Sequence, residues 1–473
     1  MNPVIIAVVS IWGLFLAFGM ILPSRDQLPE GKIGKLLEQP HRSIENPYRN
    51  GYFYLLGLTA PASLDPAKSG YEMWVEESRG AGRENEDLNR ADLSLTVSPS
   101  EISTVWKTDA PLSEFQKQDS ALHPVIAQQQ VLLRRYEYWI EMPFEDWGFG
   151  RRLPPRYQDI ISIHRLYIVE GFSLGTLDGL ERLRKELQFG RLMLREAKTI
   201  GTKMLAQVVI NDDLQLLSRI FAEPIVNKDI LAMGLQLTQP LSNAEYSLRW
   251  PIRNQLALAA RAIRGHAAQE EDNRNRVNIQ HEWLARTSGL PPQAFDGVEH
   301  PITRSMFGIT LELAQAWDIY AAYYDALITA SESKAKGLPG MREVTKTVQP
   351  GIVDSLLNPH PIEPDWGIFY HKLMETDARL RLASLQIQLR RPSAHHAVPV
   401  RLAQVGPQYF DPFTGLPMLW SPTQQKLYSA GKDQLDDGGD PTFDISVPAI
   451  VTNQLIATKR APQASRRSHV LRR

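Results

Sequence analysis

The sequence contains no cysteine, so disulfide bridges, thiolate metal sites and cysteine nucleophiles are excluded. It also has no surplus of charge of either sign, because 52 Lys and Arg residues are matched by 53 Asp and Glu residues. A net charge of −1 gives no general attraction to nucleic acid, and no nucleic-acid partner is expected. Walker A and dinucleotide-binding glycine motifs do not occur. The 473 residues are enough for two or three domains of about 100–200 residues each.

One long apolar run is present, at residues 4–22. At about 1.5 Å per residue, a helix over this run spans ~28 Å, close to the ~30 Å of a bilayer's hydrocarbon core. No Lys or Arg precedes the run and no small-residue cleavage site follows it, which argues against a cleaved signal peptide. The sequence therefore predicts a single-pass inner-membrane anchor, with the lipid bilayer as its partner.

Two signals disagree about the side of the membrane on which the body lies. Arg25, Lys32 and Lys35 follow the apolar run, and the positive-inside rule would place them in the cytoplasm. A calcium site in the acidic loop at residues 433–444 favours the outside, because Ca²⁺ reaches the millimolar range there. We expect a periplasmic body.

Shifts in composition divide the chain into five parts. Residues 1–22 form the anchor, and residues 23–118 are a linker and turn-rich segment with frequent Pro and Gly. Residues 119–364 form a helical domain, and residues 365–448 form a small C-terminal module. Residues 449–473 are a basic tail with a composition typical of disorder.

The middle of the chain has helical periodicity. Apolar residues recur at three- and four-residue spacing over 174–210, and Asn211-Asp-Asp is a natural N-cap for a helix over 214–221. Asp365 opens a last long helix that Arg391-Pro ends. Strand–helix alternation is absent, so the predicted fold is mainly α, with a short antiparallel sheet in the C-terminal module.

A glycine-rich loop near the C-terminus has the most specific spacing in the chain. Its five carboxylates are those of Asp433, Asp436, Asp437, Asp440 and Asp444. Carboxylates this close repel one another unless a cation lies among them, and hard oxygen ligands favour Ca²⁺. The alternative is a solvated acidic turn that binds nothing. The loop is not an EF-hand, because Leu435 occupies the third position and the flanks are not helical.

Short strands are predicted on both sides of this loop. Met418-Leu-Trp and Lys426-Leu-Tyr-Ser flank a Ser-Pro-Thr-Gln-Gln turn, and Phe443-Asp-Ile-Ser-Val follows the loop. Asp411-Pro-Phe-Thr-Gly is typical of a turn, with Pro at its second position. The module is therefore predicted to combine one long helix with three strands.

These strings resemble a known type of module. A long helix followed by Asp411-Pro-Phe-Thr-Gly-Leu-Pro, Tyr428-Ser-Ala-Gly-Lys-Asp and Asp436-Asp-Gly-Gly is similar to the globular end of the major pseudopilins of type II secretion. The same strings, and Asn50-Gly-Tyr-Phe-Tyr-Leu-Leu-Gly, resemble a family of membrane-anchored bacterial envelope proteins. The resemblance covers the C-terminal segment and a short N-terminal patch, and it implies nothing about the middle.

The resemblance implies a calcium loop whose ligands are Asp433, Asp436, Asp437 and Asp444. We expect a structural or interaction protein of the cell envelope, with an unidentified envelope protein as partner. A prepilin leader is absent and the anchor is separated from the module by several hundred residues, so a polymerising pseudopilin is not expected.

Two other functions stay open at this stage. Gly171-Phe-Ser-Leu-Gly175 fits the G-x-S-x-G nucleophile elbow of serine hydrolases and follows a strand-like segment at 160–169. Ser173 would be the nucleophile, with His266, His281 and His300 as candidate bases among which the sequence does not choose. The helical domain could instead bind a small ligand at a place that the sequence does not indicate. A non-catalytic role is favoured over an enzyme.

Overall fold

Helices make up most of the chain, and one small sheet lies near its C-terminal end. The computed structural model describes residues 32–78, 93, 111–151, 153, 155–224, 226–258, 260–261, 321–332, 344, 366–390 and 397–449. The predicted combination of a mainly helical fold with a short antiparallel sheet is confirmed. Among the described residues, no helix is both long and apolar enough to cross a membrane. The anchor predicted at 4–22 and the tail predicted beyond Ala449 lie outside the described residues.

Two compact units form from segments that are discontinuous in sequence. The first comprises residues 1–40 and 262–325, and its described part includes helix α1 (Lys32–Leu37). The second comprises residues 41–261 and 326–473.

The described part of the second unit contains α2 (Gly51–Leu56), α3 (Pro66–Ser78), α4 (Pro111–Gln128), α5 (Gln130–Ile140), α6 (Tyr157–Leu174), α7 (Thr176–Glu196), α8 (Ile200–Ala222), α9 (Lys228–Leu237), α10 (Asn243–Tyr246), α11 (Trp366–Leu389) and α12 (Val398–Gln404). Residues 249–258 and 326–332 are also helical. Short 3-10 turns lie at Pro47–Arg49, Pro407–Tyr409 and Gly431–Asp433.

The aromatic residues that follow Asn50 belong to the hydrophobic core. The side chain of Asn50 is buried, and its Oδ1 accepts a hydrogen bond from the backbone N–H of Tyr52 at 3.0 Å, which caps α2. Its Nδ2 donates to the carbonyl of Glu145 at 2.9 Å. Phe53 meets the ring of Trp74 edge to face at 5.8 Å. One polar cap and its aromatic neighbours therefore join α2 to α3 and to the segment after α5.

Arg135 of α5 binds the segment that follows α2. Its guanidinium donates to the backbone carbonyls of Leu58, Ala60, Pro61 and Leu64 at 3.1, 2.5, 2.9 and 2.9 Å. The Arg135 side chain is buried, and the carbonyls of Leu58 and Ala60 have the guanidinium as their donor, whereas the carbonyl of Pro61 also accepts from the N–H of Leu64 at 2.9 Å. Arg135 thus joins α5 to the non-helical segment between α2 and α3.

Helices α6, α7 and α8 follow one another with short connections and pack side by side, and α11 packs on α8. Small residues permit the close approach. A Cβ added at Gly171 would lie 2.5 Å from Cδ of Arg182, and a Cβ added at Gly190 would lie 2.8 Å from Cγ1 of Ile210. A larger residue at either glycine would push neighbouring helices apart.

The structure changes three of the local predictions in this region. The helical pattern over 174–210 is divided into α7 and α8 by a break at which Thr199 caps α8. The N-cap predicted at Asn211-Asp-Asp was wrong, because these residues lie inside α8, where apolar residues continue on both sides. The strand-like segment at 160–169 is part of helix α6. The long helix predicted after Asp365 is confirmed as α11.

The sheet of the C-terminal module has the order β1-β2-β3, with β1 at Leu419–Ser421, β2 at Lys426–Ser429 and β3 at Ile445–Pro448. Both pairings are antiparallel. The sheet packs on α11, whose Gln386 donates from Nε2 to the carbonyl of Ser218 at 2.9 Å and to that of Pro448. The module is therefore attached to the helical body.

Candidate functional site

The acidic loop between β2 and β3 is shaped by its own aspartates. Three of them accept a hydrogen bond from the backbone N–H two residues later, which is the geometry of an Asx turn. The pairs are Asp433 with Leu435 at 3.2 Å, Asp436 with Gly438 at 3.1 Å, and Asp440 with Thr442 at 2.9 Å. Gly438 and Gly439 have φ of 71° and 87°, in the left-handed region that favours glycine. This composition therefore folds into successive tight turns rather than a continuous strand.

Asp444 is the buried carboxylate of this loop, with 4% of its surface exposed. Its Oδ2 accepts a hydrogen bond from the N–H of Gly439 at 2.7 Å, whereas Oδ1 has no hydrogen-bond partner among the described residues. Burial raises the pKa of Asp444, and the negative charges of Asp437, Asp436 and Asp433 raise it further. A cation in the loop would remove this repulsion.

The four predicted calcium ligands thus lie on one loop, but they are not gathered at ligand distance. Among the described carboxylates of this loop, no group of three lies within 4.8 Å. Asp436 accepts a hydrogen bond from the hydroxyl of Tyr428 at 2.9 Å, while Asp433 and Asp437 are exposed. The assignment of calcium to Asp433, Asp436, Asp437 and Asp444 stays a prediction.

Asp411 is buried, with 2% of its surface exposed, and is hydrogen-bonded to the residue at which the acidic loop begins. Its Oδ1 accepts from the N–H of Phe413 at 2.9 Å, and its Oδ2 accepts from the N–H of Ala430 at 3.0 Å. The first bond closes the turn predicted at Asp411-Pro-Phe-Thr-Gly, and the second joins that turn to the end of β2. Burial raises the pKa of Asp411, and these hydrogen bonds oppose the rise.

Ser173 does not occupy a nucleophile elbow. It lies in the last turn of α6, and its Oγ donates to the carbonyl of Glu170 at 2.9 Å. An elbow places the serine on a sharp turn between a strand and a helix, whereas a helix precedes Ser173 here. The candidate partners His266, His281 and His300 lie outside the described residues. The geometry that a serine hydrolase requires is not formed at this position.

A second polar cluster lies in the helical core, where α6, α7 and α8 meet. His164, Glu186 and Asp213 come from these three helices in turn, with 0%, 1% and 0% of their surfaces exposed. Nδ1 of His164 lies 2.9 Å from Oε2 of Glu186, and Nε2 lies 3.8 Å from Oδ1 of Asp213. Within the described part of the chain, this is the one group of three such side chains whose potential ligand atoms all lie within 4.8 Å.

Burial and proximity shift the proton affinities in this cluster. Burial raises the pKa of Asp213 well above its ordinary value, and the neighbouring carboxylate of Glu186 raises it further. Burial alone would lower the pKa of His164, but the negative charges of Glu186 and Asp212 outweigh it and the pKa is raised. The pKa of Tyr136 is also raised, by burial first and then by Glu186. The cluster therefore favours shared protons or a bound cation over two free carboxylates.

Sequence reasoning missed this cluster, although each helix carries a signal for it. A charged or titratable residue interrupts the apolar stripe of three successive helices, as Glu186 does between Leu183 and Leu187. The three positions are 22 and 27 residues apart along the chain, so no local motif connects them.

No protein-family model, curated protein or solved structure matches this chain.

Proposed function

We propose that the chain is a non-catalytic, membrane-anchored structural or interaction protein of the bacterial cell envelope, and that calcium stabilises its C-terminal module. The observation that carries this proposal is Asp444, a buried carboxylate in a loop of like charges with an unpartnered Oδ1 among the described residues. A divalent cation held by several carboxylates would compensate this arrangement.

The loop can adapt to an ion at small cost. Asp433 and Asp437 are exposed, so the side chain of Asp437 can turn toward Asp444, and Asp433 can offer the oxygen that does not close its turn with Leu435. The hydroxyl of Tyr428 orients Asp436, and the positive φ of Gly438 and Gly439 lets the backbone remain tightly turned. Calcium tolerates irregular oxygen coordination, which suits a loop that gathers its ligands on binding.

The partner and the location follow from the same module and from the N-terminal run. Leu435 and Phe443 of the acidic loop expose 63% and 52% of their surfaces, and carboxylates lie beside them in sequence. This combination suits a protein partner with apolar and basic side chains. Residues 4–22 supply the anchor, and a periplasmic body would meet the calcium concentration that the loop needs.

Thermal melts with millimolar Ca²⁺ and with chelator test the calcium site. At a concentration about 100 times the dissociation constant, one site adds about 2.7 kcal/mol to the free energy of unfolding. Asp437→Ala and Asp444→Asn should each abolish the calcium response, whereas Asp178→Ala, a change of an acidic residue on α7, should retain it. A wild-type chain whose melt is the same with calcium and with chelator would contradict the proposal.

Membrane placement is tested separately with the complete chain. Fractionation should recover it with the inner membrane, and removal of residues 4–22 should release it. Alkaline phosphatase fused to the C-terminus should be active, because that enzyme needs the oxidising periplasm for its disulfides. An inactive fusion on a membrane-bound chain would place the body in the cytoplasm, as Arg25, Lys32 and Lys35 favour.

A further inference from the structure

The cluster in the helical core has an unusual deficit of hydrogen bonds. The six polar side-chain atoms of His164, Glu186 and Asp213 lie among one another and the hydroxyl of Tyr136, and none of the six makes a hydrogen bond of normal geometry to a group outside this cluster. All three side chains are buried. Buried polar groups in folded proteins are almost always satisfied, and an uncompensated buried carboxylate is costly. Three neighbouring helices therefore converge on a point where an imidazole and two carboxylates depend on one another for polar contacts.

The helices bring these atoms together by packing that is fixed elsewhere. Gly190 lies one turn after Glu186, and its contact with Ile210 holds α7 close to α8. Gly171 lies two turns after His164, and its contact with Arg182 holds α6 close to α7. The spacing of the three side chains is thus set by two close helix contacts that lie on either side of the cluster. The donor set is prearranged rather than dependent on a mobile loop.

The ligand atoms and their charge favour one class of cation. One imidazole nitrogen and two carboxylate oxygens within 4.8 Å can surround an ion whose ligand distances are about 2.0–2.2 Å, once the side chains turn toward it. Two carboxylates balance the charge of a divalent ion, so the loaded site would be neutral. The imidazole favours a first-row transition metal over Ca²⁺ or Mg²⁺, which prefer oxygen ligands alone.

We propose that His164, Glu186 and Asp213 bind one divalent transition-metal ion, such as Zn²⁺ or Mn²⁺, and that this ion joins α6, α7 and α8 in the core. All three side chains are buried, and a second carboxylate oxygen of Glu186 or Asp213 would complete the four-coordinate sphere that a structural zinc ion requires. It is separate from the calcium loop in residues, elements and preferred metal. Either site can therefore be present without the other.

Metal analysis of the full-length chain tests the assignment. After purification, chelation and reloading with Zn²⁺ or Mn²⁺, the wild type should retain roughly one equivalent and melt about 5 °C higher than the chelated chain. Asp213→Asn and Glu186→Gln preserve side-chain size but remove a charged ligand, and each should lower metal affinity at least tenfold. His123→Gln changes an exposed histidine and should leave retention and the melting shift as in the wild type.

Further measurements test the proposal even where a cluster variant does not fold. If a cluster variant does not fold, X-ray absorption of the zinc-loaded wild type should show a shell of nitrogen and oxygen ligands with a single imidazole. A shell with no imidazole, or with two or more, would overturn the proposal. So would a wild type that retains neither metal, or Asp213→Asn that retains both metal and melting shift. Asp444→Asn should keep the transition-metal response, so a failure of the calcium loop does not affect this result.

Discussion

The carboxylate of Asp411 accepts the backbone N–H of Ala430 at 3.0 Å, so a turn before β1 holds the residue at which the acidic loop begins. Asp411→Asn should lower the free energy of unfolding by about 1–3 kcal/mol, because an amide keeps one acceptor oxygen and places N–H groups against the second backbone donor. Denaturant unfolding measures the change. Asp440→Asn is the matched control, since Asp440 is exposed and its hydrogen bonds reach only the nearby Thr442. Equal effects of the two variants would contradict the supporting role of Asp411.

Arg135 offers a second test of a buried polar anchor. Arg135→Met should cost about 2–4 kcal/mol, because the carbonyls of Leu58 and Ala60 lose their donor while the apolar part of the side chain is retained. Arg134→Met is the control, since Arg134 is the exposed neighbour on the same helix. Chemical denaturation of both variants compares them directly. A cost for Arg134→Met as large as that for Arg135→Met would assign the effect to lost charge rather than to lost hydrogen bonds.

Lys203 gives the protein a specific pH dependence. Burial lowers its pKa from 10.5 to about 7, while its Nζ donates to the carbonyls of Leu194 and Ser247. Between these two pKa values the unfolded chain binds more protons than the folded chain, so the contribution of Lys203 to stability rises with pH. The slope from this group approaches about 1.4 kcal/mol per pH unit within that window.

Melts from pH 7 to pH 9.5 test this prediction. Lys203→Met should flatten the rise in melting temperature, whereas Lys228→Met, which changes an exposed lysine, should keep the wild-type slope. A wild-type slope that persists in Lys203→Met would show that other groups cause it.

Ser173→Ala should leave the protein essentially unchanged. The hydroxyl contributes one hydrogen bond within its own helix, and its removal should alter the free energy of unfolding by less than about 1 kcal/mol. Activity of the purified chain toward short-chain nitrophenyl esters should be no higher than that of a buffer blank. An esterase activity that disappears in Ser173→Ala would contradict the non-catalytic role and would support a serine hydrolase instead.

The C-terminal module was accessible to sequence reasoning because its signals are local. Turn residues bracket each short strand, and the helix predicted after Asp365 has a proline stop at Pro392. The three strands occur where they were predicted, to within two residues. Ligand distances were not accessible, because the rotation of exposed carboxylates such as Asp437 does not depend on sequence spacing.

The side-chain pairing and the helix break in the helical core could not be predicted from the sequence. Asn211-Asp-Asp has strong cap propensity, but apolar contacts along α8 outweigh it, and Asp213 faces His164 in the interior. A pairing between residues on different helices depends on how those helices cross, and a single sequence contains no direct record of it. The break at Thr199 was likewise hidden, because apolar spacing continues across it.

Helix α11 has a consequence for how the chain is made. Its Asp377 accepts hydrogen bonds from the N–H of Leu241 and the hydroxyl of Tyr246, which precede it by 136 and 131 residues. Its Gln386 binds the carbonyl of Ser218, 168 residues earlier. At about 5–20 residues per second, the ribosome would need roughly 10–30 s to supply α11 after it has completed α8. During that interval the apolar face of α8 has no α11 to cover it, so the nascent chain should depend on chaperones until its last long helix has been synthesised.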